Sequence, residues 1–211
     1  VGCAEAGRYF SRHPGVAAKV EGDYRAWHDV TFHGDEVVLA CVGEGSTSQG
    51  EFWEALNTAS NQKLPVIFMI EDNGYAISVP VEVNTPGGNI SRLVANFPNF
   101  HFAEIDGTDA EASLRAFQAA AEHCRAGRGP AFVHGHCVRP YSHSLSDDDK
   151  LYRSAADAMA APREKLAYVA LLDPDAIAVV DTDPDSPSYS SVVGSWNAPI
   201  QSAPDEFHHY G

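Results

Sequence analysis

The sequence predicts an α/β fold: an open, mostly parallel sheet with helices on both faces. Two observations predict it. Short, continuous apolar runs, typical of strands covered on both faces, alternate with segments whose apolar residues recur at helical spacing. The chain has 211 residues, 44% of them hydrophobic, which is enough for one substantial core. We predict one α/β domain over residues 1–165, which we expect to be incomplete at its N-terminus, and an acidic, proline-rich, irregular segment over residues 166–211.

The first strand-helix-strand unit is predicted between residues 37 and 70. Residues 37–42 form an apolar run, and so do residues 66–70. Between them, Ser48-Gln-Gly-Glu51 fits a capping box, the signature of a helix N-terminus. The helix that follows has four apolar residues on one face: Phe52, Ala55, Leu56 and Ala59. Two strands joined by a helix predict a parallel pair.

A second unit is predicted between residues 102 and 138. Its strands are residues 102–105 and 131–138, and Thr108-Asp-Ala-Glu111 is a second capping box. Four residues of its helix are predicted to face inward: Leu114, Phe117, Ala121 and Cys124. The connection at residues 78–100 is predicted to contain a short helix capped by Asn89, and connections of this length are often functional.

The last segment differs in composition from the rest of the chain. Residues 167–211 contain seven acidic residues and five prolines but no lysine or arginine. Such a composition favours irregular or disordered backbone, which we predict for residues 181–211 in particular.

The charge and the cysteines restrict the class of protein. A formal net charge of -15 argues against nucleic acid or an anionic membrane as partner, since both would repel the chain. No apolar run approaches the ~20 residues needed to span a bilayer. The cysteines lack the paired spacing of a zinc knuckle or a disulfide framework. We predict a cytoplasmic protein with four buried thiols: Cys3, Cys41, Cys124 and Cys137.

Polar residues follow two neighbouring strands at their carboxyl ends. Gly43-Glu44-Gly45 ends the first strand, and Asn73 follows the second. Ligands bind at this edge of open α/β sheets, and the N-terminus of the intervening helix suits a diphosphate there. Mg²⁺ prefers oxygen ligands and shares them with phosphates. Each short sequence taken alone is more typical of a tight turn, so a turn and a magnesium site both remain open.

A longer comparison of motifs favours the site. Gly43-Glu44-Gly45, 27 residues and then Asn73 resemble the thiamine diphosphate motif, Gly-Asp-Gly followed by a spacer of similar length and Asn. Residues 43–57 and 64–78 resemble the alpha part of the decarboxylating component of 2-oxoacid dehydrogenases. The likeness extends through Arg139-Pro-Tyr-Ser-His-Ser-Leu-Ser-Asp-Asp148 to Arg153 and covers roughly residues 37–153.

The resemblance implies roles for individual residues. It makes the Glu44 and Asn73 side chains and the Tyr75 backbone carbonyl the magnesium ligands, and the N–H groups around Gly45 and Ser46 the diphosphate donors. It makes His143 the active-site histidine, which assists acyl transfer to a lipoyl group. The cofactor-binding set that it implies is Gly43, Glu44, Gly45, Ser46, Asn73, Tyr75, Ala76, Arg139 and His143.

The resemblance also implies an activity and partners. The expected reaction is oxidative decarboxylation of a 2-oxoacid with thiamine diphosphate and Mg²⁺, followed by acyl transfer to a lipoyl-bearing acyltransferase. The family's beta part supplies the glutamate that activates the cofactor, so we expect this chain alone to turn over negligibly. Glu44 in place of Asp tilts the substrate weakly from pyruvate toward branched-chain 2-oxoacids. The long stretch between Arg12 and Gly34, with Trp27 and His28, resembles versions in which alpha and beta parts are fused.

Other interpretations remain open. A transketolase-like or decarboxylase-like relative would share the magnesium motif without needing a lipoyl partner, and a non-catalytic assembly subunit would share the fold. Strand alternation puts His134 and His136 on one face, beside Cys137, but no third ligand has suitable spacing, so strand residues are favoured over a metal site. Ser144 and Ser146 match positions that are phosphorylated in some members, and whether they are phosphorylated here is left open.

Overall fold

The computed structural model describes residues 1–24, 32–154, 156, 166–172, 175–181, 187–188 and 190–197. The chain divides into two compact units, Val1–Ala158 and Met159–Gly211. Trp27 and His28, on which the resemblance to fused forms partly depends, lie outside the described residues.

A four-stranded parallel sheet forms the centre of the first unit. Its strands are β1 Val38–Gly43, β2 Val66–Asp72, β5 His101–Asp106 and β6 Ala131–His136. A short antiparallel hairpin consists of β3 Tyr75–Ala76 and β4 Val79–Pro80. The order in the sheet is β1-β2-β6-β5, and each neighbouring pair is parallel. The predicted parallel α/β fold is therefore confirmed.

Helices and turns connect these strands. The α-helices are α1 Gly2–Arg12, α2 Pro14–Tyr24, α3 Gly50–Gln62, α4 Val81–Asn84, α5 Ile90–Val94 and α6 Ala110–Arg125. The 3₁₀ helices are Glu44–Ser48, Pro86–Gly88 and Asp149–Leu151. The short helix predicted in the long connection is α5, and the Asn89 side chain caps it by accepting from the Arg92 N–H, as predicted.

Separate apolar clusters lie on the two faces of the sheet, because successive strand residues point to opposite sides. One cluster joins α3 and α5 to the sheet: Phe52, Leu56, Phe68, Ile70, Ile90 and Phe132. The other joins α6 to the opposite face: Ile67, Ala116, Ala120, Cys124, Ala131 and Val133. The prediction that Phe52, Leu56 and Ala59 face the core is confirmed.

The predicted starts of two helices were wrong by one residue or more. Ser48 ends a 3₁₀ helix, so α3 begins only after Gln49, which makes no side-chain cap, and Ser48 Oγ donates to Asn84 instead. In α6 the N-cap is Asp109, whose side chain accepts from the Ala112 N–H.

The prediction that Leu114 of α6 faces inward was wrong, since Leu114 is 59% exposed. The buried face of α6 consists of small residues: Ala116, Ala120 and Cys124.

The second unit contains an antiparallel sheet, so the prediction of irregular backbone was wrong for much of residues 166–197. Its strands, in spatial order, are β7 Leu166–Leu172, β8 Asp175–Asp181 and β9 Val192–Asn197. The acidic and proline residues lie largely between or beyond two apolar runs rich in Val, Leu and Ile, and such runs favour strands. Residues 198–211 lie outside the described part of the chain.

The four cysteines are free, but only some are buried as predicted. Cys124 is buried and Cys137 is partly buried, whereas Cys3 and Cys41 are exposed. Cys41 lies on β1, an edge strand of the sheet, which explains its exposure. Within the described residues, no helix has both the length and the apolar character that crossing a membrane requires.

Candidate functional site

The structure brings Glu44 and Asn73 together at the carboxyl ends of β1 and β2. The two strands pair in parallel with Gly43 opposite Glu71, so both chain segments leave the sheet at the same edge. The Asn73 N–H lies 3.4 Å from Glu44 Oε2, to which it donates. Glu44 is only 1% exposed, which is unusual for a carboxylate and marks this position as special.

Each of these side chains has an oxygen without a partner. Glu44 Oε1 and Asn73 Oδ1 are buried and accept no hydrogen bond from the described residues. A buried oxygen in this state costs free energy unless a cation or water meets it. Burial raises the pKa of Glu44 above its ordinary value, and the charge of Asp72 adds to the effect. A carboxylate and an amide oxygen so placed fit a hard cation such as Mg²⁺.

The 3₁₀ helix Glu44–Ser48 is held by contacts that the sequence analysis missed. Thr47 Oγ1 donates to the Glu44 carbonyl over 2.6 Å, and Asn84 Nδ2 reaches the same carbonyl at 3.5 Å. Asn84 Oδ1 in turn accepts from Ser48 Oγ at 3.1 Å. The contact of Thr47 with Glu44 could have been predicted, because the two residues are close in sequence. The contact of Asn84 could not, because Asn84 lies in a distant part of the sequence.

Glycine at position 45 allows the 3₁₀ helix to approach the β3–β4 hairpin. Ala76 lies directly against Gly45, and the neighbouring Tyr75 is thereby held beside the 3₁₀ helix. Gly43 precedes this helix as its N-cap, and Ser46 is exposed on its first turn. The first N–H groups of any such helix lack partners within the helix, so those of Gly45 and Ser46 can bind an anion.

Arg139 lies beside two tyrosines, Tyr75 and Tyr152, whose rings contact each other close to this hairpin. Its guanidinium carbon is 6.0 Å from the centre of the Tyr75 ring and 5.9 Å from that of Tyr152. Nη2 donates to the Ile77 carbonyl at 2.9 Å and to the Tyr152 hydroxyl at 2.7 Å. Nε and Nη1 are buried and have no acceptor among the described residues. Arg139 can therefore offer charged donors to an anionic ligand.

His143 lies on an exposed loop that is tied back to Arg139. The His143 N–H donates to Asp147 Oδ2 at 2.8 Å, and the Tyr152 hydroxyl donates to the same oxygen at 2.6 Å. Arg139 completes the chain of hydrogen bonds through Tyr152. The hydrogen bonds of the described residues thus link His143 to Arg139, not directly to Glu44 or Asn73. Sequence reasoning missed Tyr152 and Asp147 as the residues that hold this loop.

A second polar cluster corrects the expectation that His134 and His136 lack further ligands. Asp72 comes from the end of β2 and Glu104 from β5, the strands on either side of β6. Asp72, His134 and His136 have ligand atoms that all lie within 4.8 Å of one another. The ligands were missed because they are supplied across the sheet by strand register and not by spacing along the chain.

Comparisons with known proteins agree with the resemblance in the sequence. The model of the dehydrogenase E1 component family matches residues 10–171. The pyruvate dehydrogenase E1 component subunit alpha of Rhizobium meliloti is 38% identical over 122 residues, which cover 57% of this chain and 34% of the relative. The 2-oxoisovalerate dehydrogenase subunit alpha of Bacillus subtilis is 36% identical over 140 residues, which cover 65% of this chain and 42% of the relative.

The matches leave part of both the relatives and this chain uncovered. The chain spans well under half the length of these two relatives. A second family model, that of the 56 kDa selenium binding protein, matches residues 146–211. This second match covers less than half of the chain, and we draw no function from it.

Proposed function

This chain belongs to the dehydrogenase E1 component family, and on that premise we propose that it holds Mg²⁺ and the diphosphate end of thiamine diphosphate. The observation that carries the proposal is the pair of buried, unpartnered oxygens, Glu44 Oε1 and Asn73 Oδ1. They lie at the ends of adjacent parallel strands, the edge at which open α/β sheets bind ligands.

The proposed binding roles follow from the local chemistry. The Glu44 carboxylate, the Asn73 amide oxygen and the Tyr75 backbone carbonyl are oxygen ligands of the kind that Mg²⁺ takes. The N–H groups of Gly45 and Ser46 donate to the diphosphate. A divalent cation would also offset the free-energy cost of burying the Glu44 charge. The two unpartnered oxygens, Glu44 Oε1 and Asn73 Oδ1, would then each bind the cation.

We propose that the reaction is decarboxylation of a 2-oxoacid with acyl transfer to a lipoyl group. Thiamine diphosphate, when bound, supplies the electron sink that loss of carbon dioxide requires. Arg139 keeps positive charge beside Tyr75 and offers two free donor groups to an anion. His143 donates or accepts a proton during acyl transfer, from a loop whose position Asp147 and Tyr152 fix.

The substrate and the partners are part of the proposal. The relatives are named for pyruvate and for 2-oxoisovalerate, so we propose a 2-oxoacid substrate, with the branched-chain type weakly favoured by Glu44. The expected partners are the beta part of the same enzyme and a lipoyl-bearing acyltransferase. A cytoplasmic location stays a prediction from composition.

Two alternatives make different predictions. An enzyme of transketolase or simple decarboxylase type would bind the cofactor but would not depend on a lipoyl domain for turnover. A non-catalytic assembly subunit would not bind the cofactor even with the beta part supplied.

The test is isothermal titration of thiamine diphosphate, with and without Mg²⁺, into the chain mixed with the beta part of a relative. Glu44→Ala and Asn73→Ala are expected to weaken Mg²⁺-dependent binding at least 100-fold. Glu71→Ala is the matched control, because Glu71 is an exposed carboxylate near the end of β2, the strand that Asn73 follows. Binding that does not need Mg²⁺, or that survives both substitutions, would contradict the proposed site.

A further inference from the structure

Two imidazoles and a carboxylate converge beside the proposed cofactor site without being part of it. His134 Nε2 lies 2.8 Å from Asp72 Oδ2, and His136 Nδ1 lies 3.7 Å from the same oxygen. The centroids of the His134 and His136 rings are 4.3 Å apart. Ligand atoms around a tetrahedral Zn²⁺ are about 3.3 Å apart, as bond lengths of about 2 Å require. The two distances to Asp72 Oδ2 lie on either side of that value, and all three ligand atoms lie within 4.8 Å of one another. The shorter distance is a hydrogen bond, whose proton a bound ion would replace.

The outer nitrogen of each ring is held by a further residue. His134 Nδ1 lies 2.8 Å from Ser91 Oγ, and His136 Nε2 lies 2.8 Å from Glu104 Oε1. Metal-bound histidines commonly have this arrangement, in which the nitrogen away from the metal is hydrogen-bonded and the ring is thereby oriented. Ser91 and Glu104 are positioning residues for the two rings.

The hydrogen bonds alone leave one inward-facing atom poorly matched. If His136 Nε2 donates its proton to Glu104, a neutral ring directs the Nδ1 lone pair toward Asp72, where another lone pair faces it at 3.7 Å. A cation between them removes this mismatch, and so does a second proton on the ring. Only a direct measurement of metal binding separates these two cases.

The charge and exposure of the cluster suit a divalent ion. Asp72 and Glu104 carry negative charge beside the two imidazoles. Asp72 Oδ1 accepts from the Gly74 N–H at 2.9 Å, which fixes the orientation of this carboxylate. His134 is fully buried, whereas His136 is 48% exposed, so the cluster is anchored on one side and open to solvent on the other.

We propose that Asp72, His134 and His136 form a second metal site, which binds a late first-row divalent ion such as Zn²⁺ or Co²⁺. Mixed imidazole and carboxylate ligands select such ions, whereas the all-oxygen set at Glu44 and Asn73 selects Mg²⁺. The bound ion joins the ends of β2 and β6, the two central strands of the sheet.

The test is titration of Co²⁺ into the untagged, chelator-treated chain at fixed pH, followed by visible absorption. The titration is done in the Glu44→Ala background, so that an ion at the proposed magnesium site does not contribute. We expect one equivalent of Co²⁺ to give intense bands typical of low coordination number, and Zn²⁺ to abolish them. Because the readout does not involve thiamine diphosphate, its result is independent of the proposed function.

Substitutions decide whether the ion binds at this cluster. His136→Ala is expected to weaken Co²⁺ binding at least 100-fold. Because the His136 side chain is half-exposed, the variant should still fold. Glu104→Gln is expected to weaken it about 10-fold. His13→Ala, which removes an exposed histidine of the same chain, should leave binding unchanged. Absence of the bands, or bands that persist in His136→Ala, would show that Asp72, His134 and His136 do not bind the ion.

Discussion

A Cβ atom on Gly45 would lie 2.6 Å from the Cβ of Ala76 and 3.1 Å from its Cα. These residues join the 3₁₀ helix that carries Glu44 to the hairpin that carries Tyr75. The need for glycine at this position comes from packing, since contacts shorter than about 3.4 Å between carbon atoms are repulsive. The distance between the two proposed ligand-bearing segments thus depends on the absence of a side chain at residue 45.

Gly45→Ala is expected to destabilise the chain by about 1–3 kcal/mol, because the hairpin must move away from the 3₁₀ helix. The same movement should weaken Mg²⁺-dependent binding of thiamine diphosphate. Urea unfolding and titration calorimetry measure the two effects. Gly50→Ala is the control, since a Cβ atom on Gly50 would meet no atom within 4 Å. Adding Ala76→Gly should restore part of the loss, and equal stability of Gly45→Ala and wild type would refute the packing argument.

Glu44→Gln is expected to stabilise the metal-free chain while removing its response to Mg²⁺. Because the pKa of Glu44 is raised in the folded state, ionisation of this carboxyl disfavours folding. Wild-type stability should therefore fall as pH rises from about 4.3, the ordinary value for glutamate, through the raised folded value. Gln removes this fall and should raise Tm near neutral pH by about 2–6 °C.

The measurement is thermal unfolding of both forms with chelator, and then with Mg²⁺ and thiamine diphosphate. Glu71→Gln, a change at an exposed carboxylate, should behave like wild type. A Glu44→Gln chain that is less stable than wild type without metal would mean that the carboxylate has a partner that offsets its burial.

The sequence predicts those features of the fold and the site that neighbouring residues determine, and it fails where distant segments determine them. The strands were predictable because a continuous apolar run such as Val66–Ile70 is typical of a strand that is buried on both faces. The start of α3 was not, because Ser48 is engaged by Asn84 from a distant segment. Glu44 and Asn73 were predicted together because strand ends meet at one edge. The sequence analysis did not place Asp72 beside the histidines. The register between β2 and β6 brings them together, and this register cannot be read from the spacing of residues along the chain.

Tyr152→Phe is expected to loosen the loop of residues 141–148. The hydroxyl donates to Asp147 and accepts from Arg139, and Asp147 also accepts from the His143 N–H. Without the hydroxyl, Asp147 loses its hydrogen-bonded link to Arg139, so the amides of the loop should exchange at least several-fold faster. Hydrogen exchange by mass spectrometry measures this.

The control for this change is Tyr141→Phe, because the Tyr141 side chain is 80% exposed on the same loop. The proposed role of His143 predicts that Tyr152→Phe also lowers the rate of acyl transfer in the assembled enzyme. Unchanged exchange across the loop would show that the hydrogen bond to Asp147 does not hold it.

The cysteines should differ in reactivity. Burial raises the pKa of Cys124 to about 11, and burial together with the charges of Glu71, Asp72 and Glu44 raises that of Cys137 to about 11. Both therefore remain thiols at pH 8, while Cys3 and Cys41 are exposed. Burial and the charge of Glu71 also raise the pKa of Cys41. A disulfide reagent added to the native chain should therefore modify Cys3 at least 100-fold faster than Cys124 and Cys137, and Cys41 more slowly than Cys3.

The same shift predicts a loss of stability in alkali. A thiol with a raised pKa holds its proton in the folded state when the unfolded state has lost it, so stability is intact below about pH 8.5 and declines toward pH 11. Each such thiol contributes at most about 1.4 kcal/mol per pH unit. Cys124→Ala lowers stability at pH 7 by leaving a small cavity, but it should flatten the decline above pH 9. Urea unfolding across this range measures both effects, and an unchanged slope in the variant would show that other groups cause the decline.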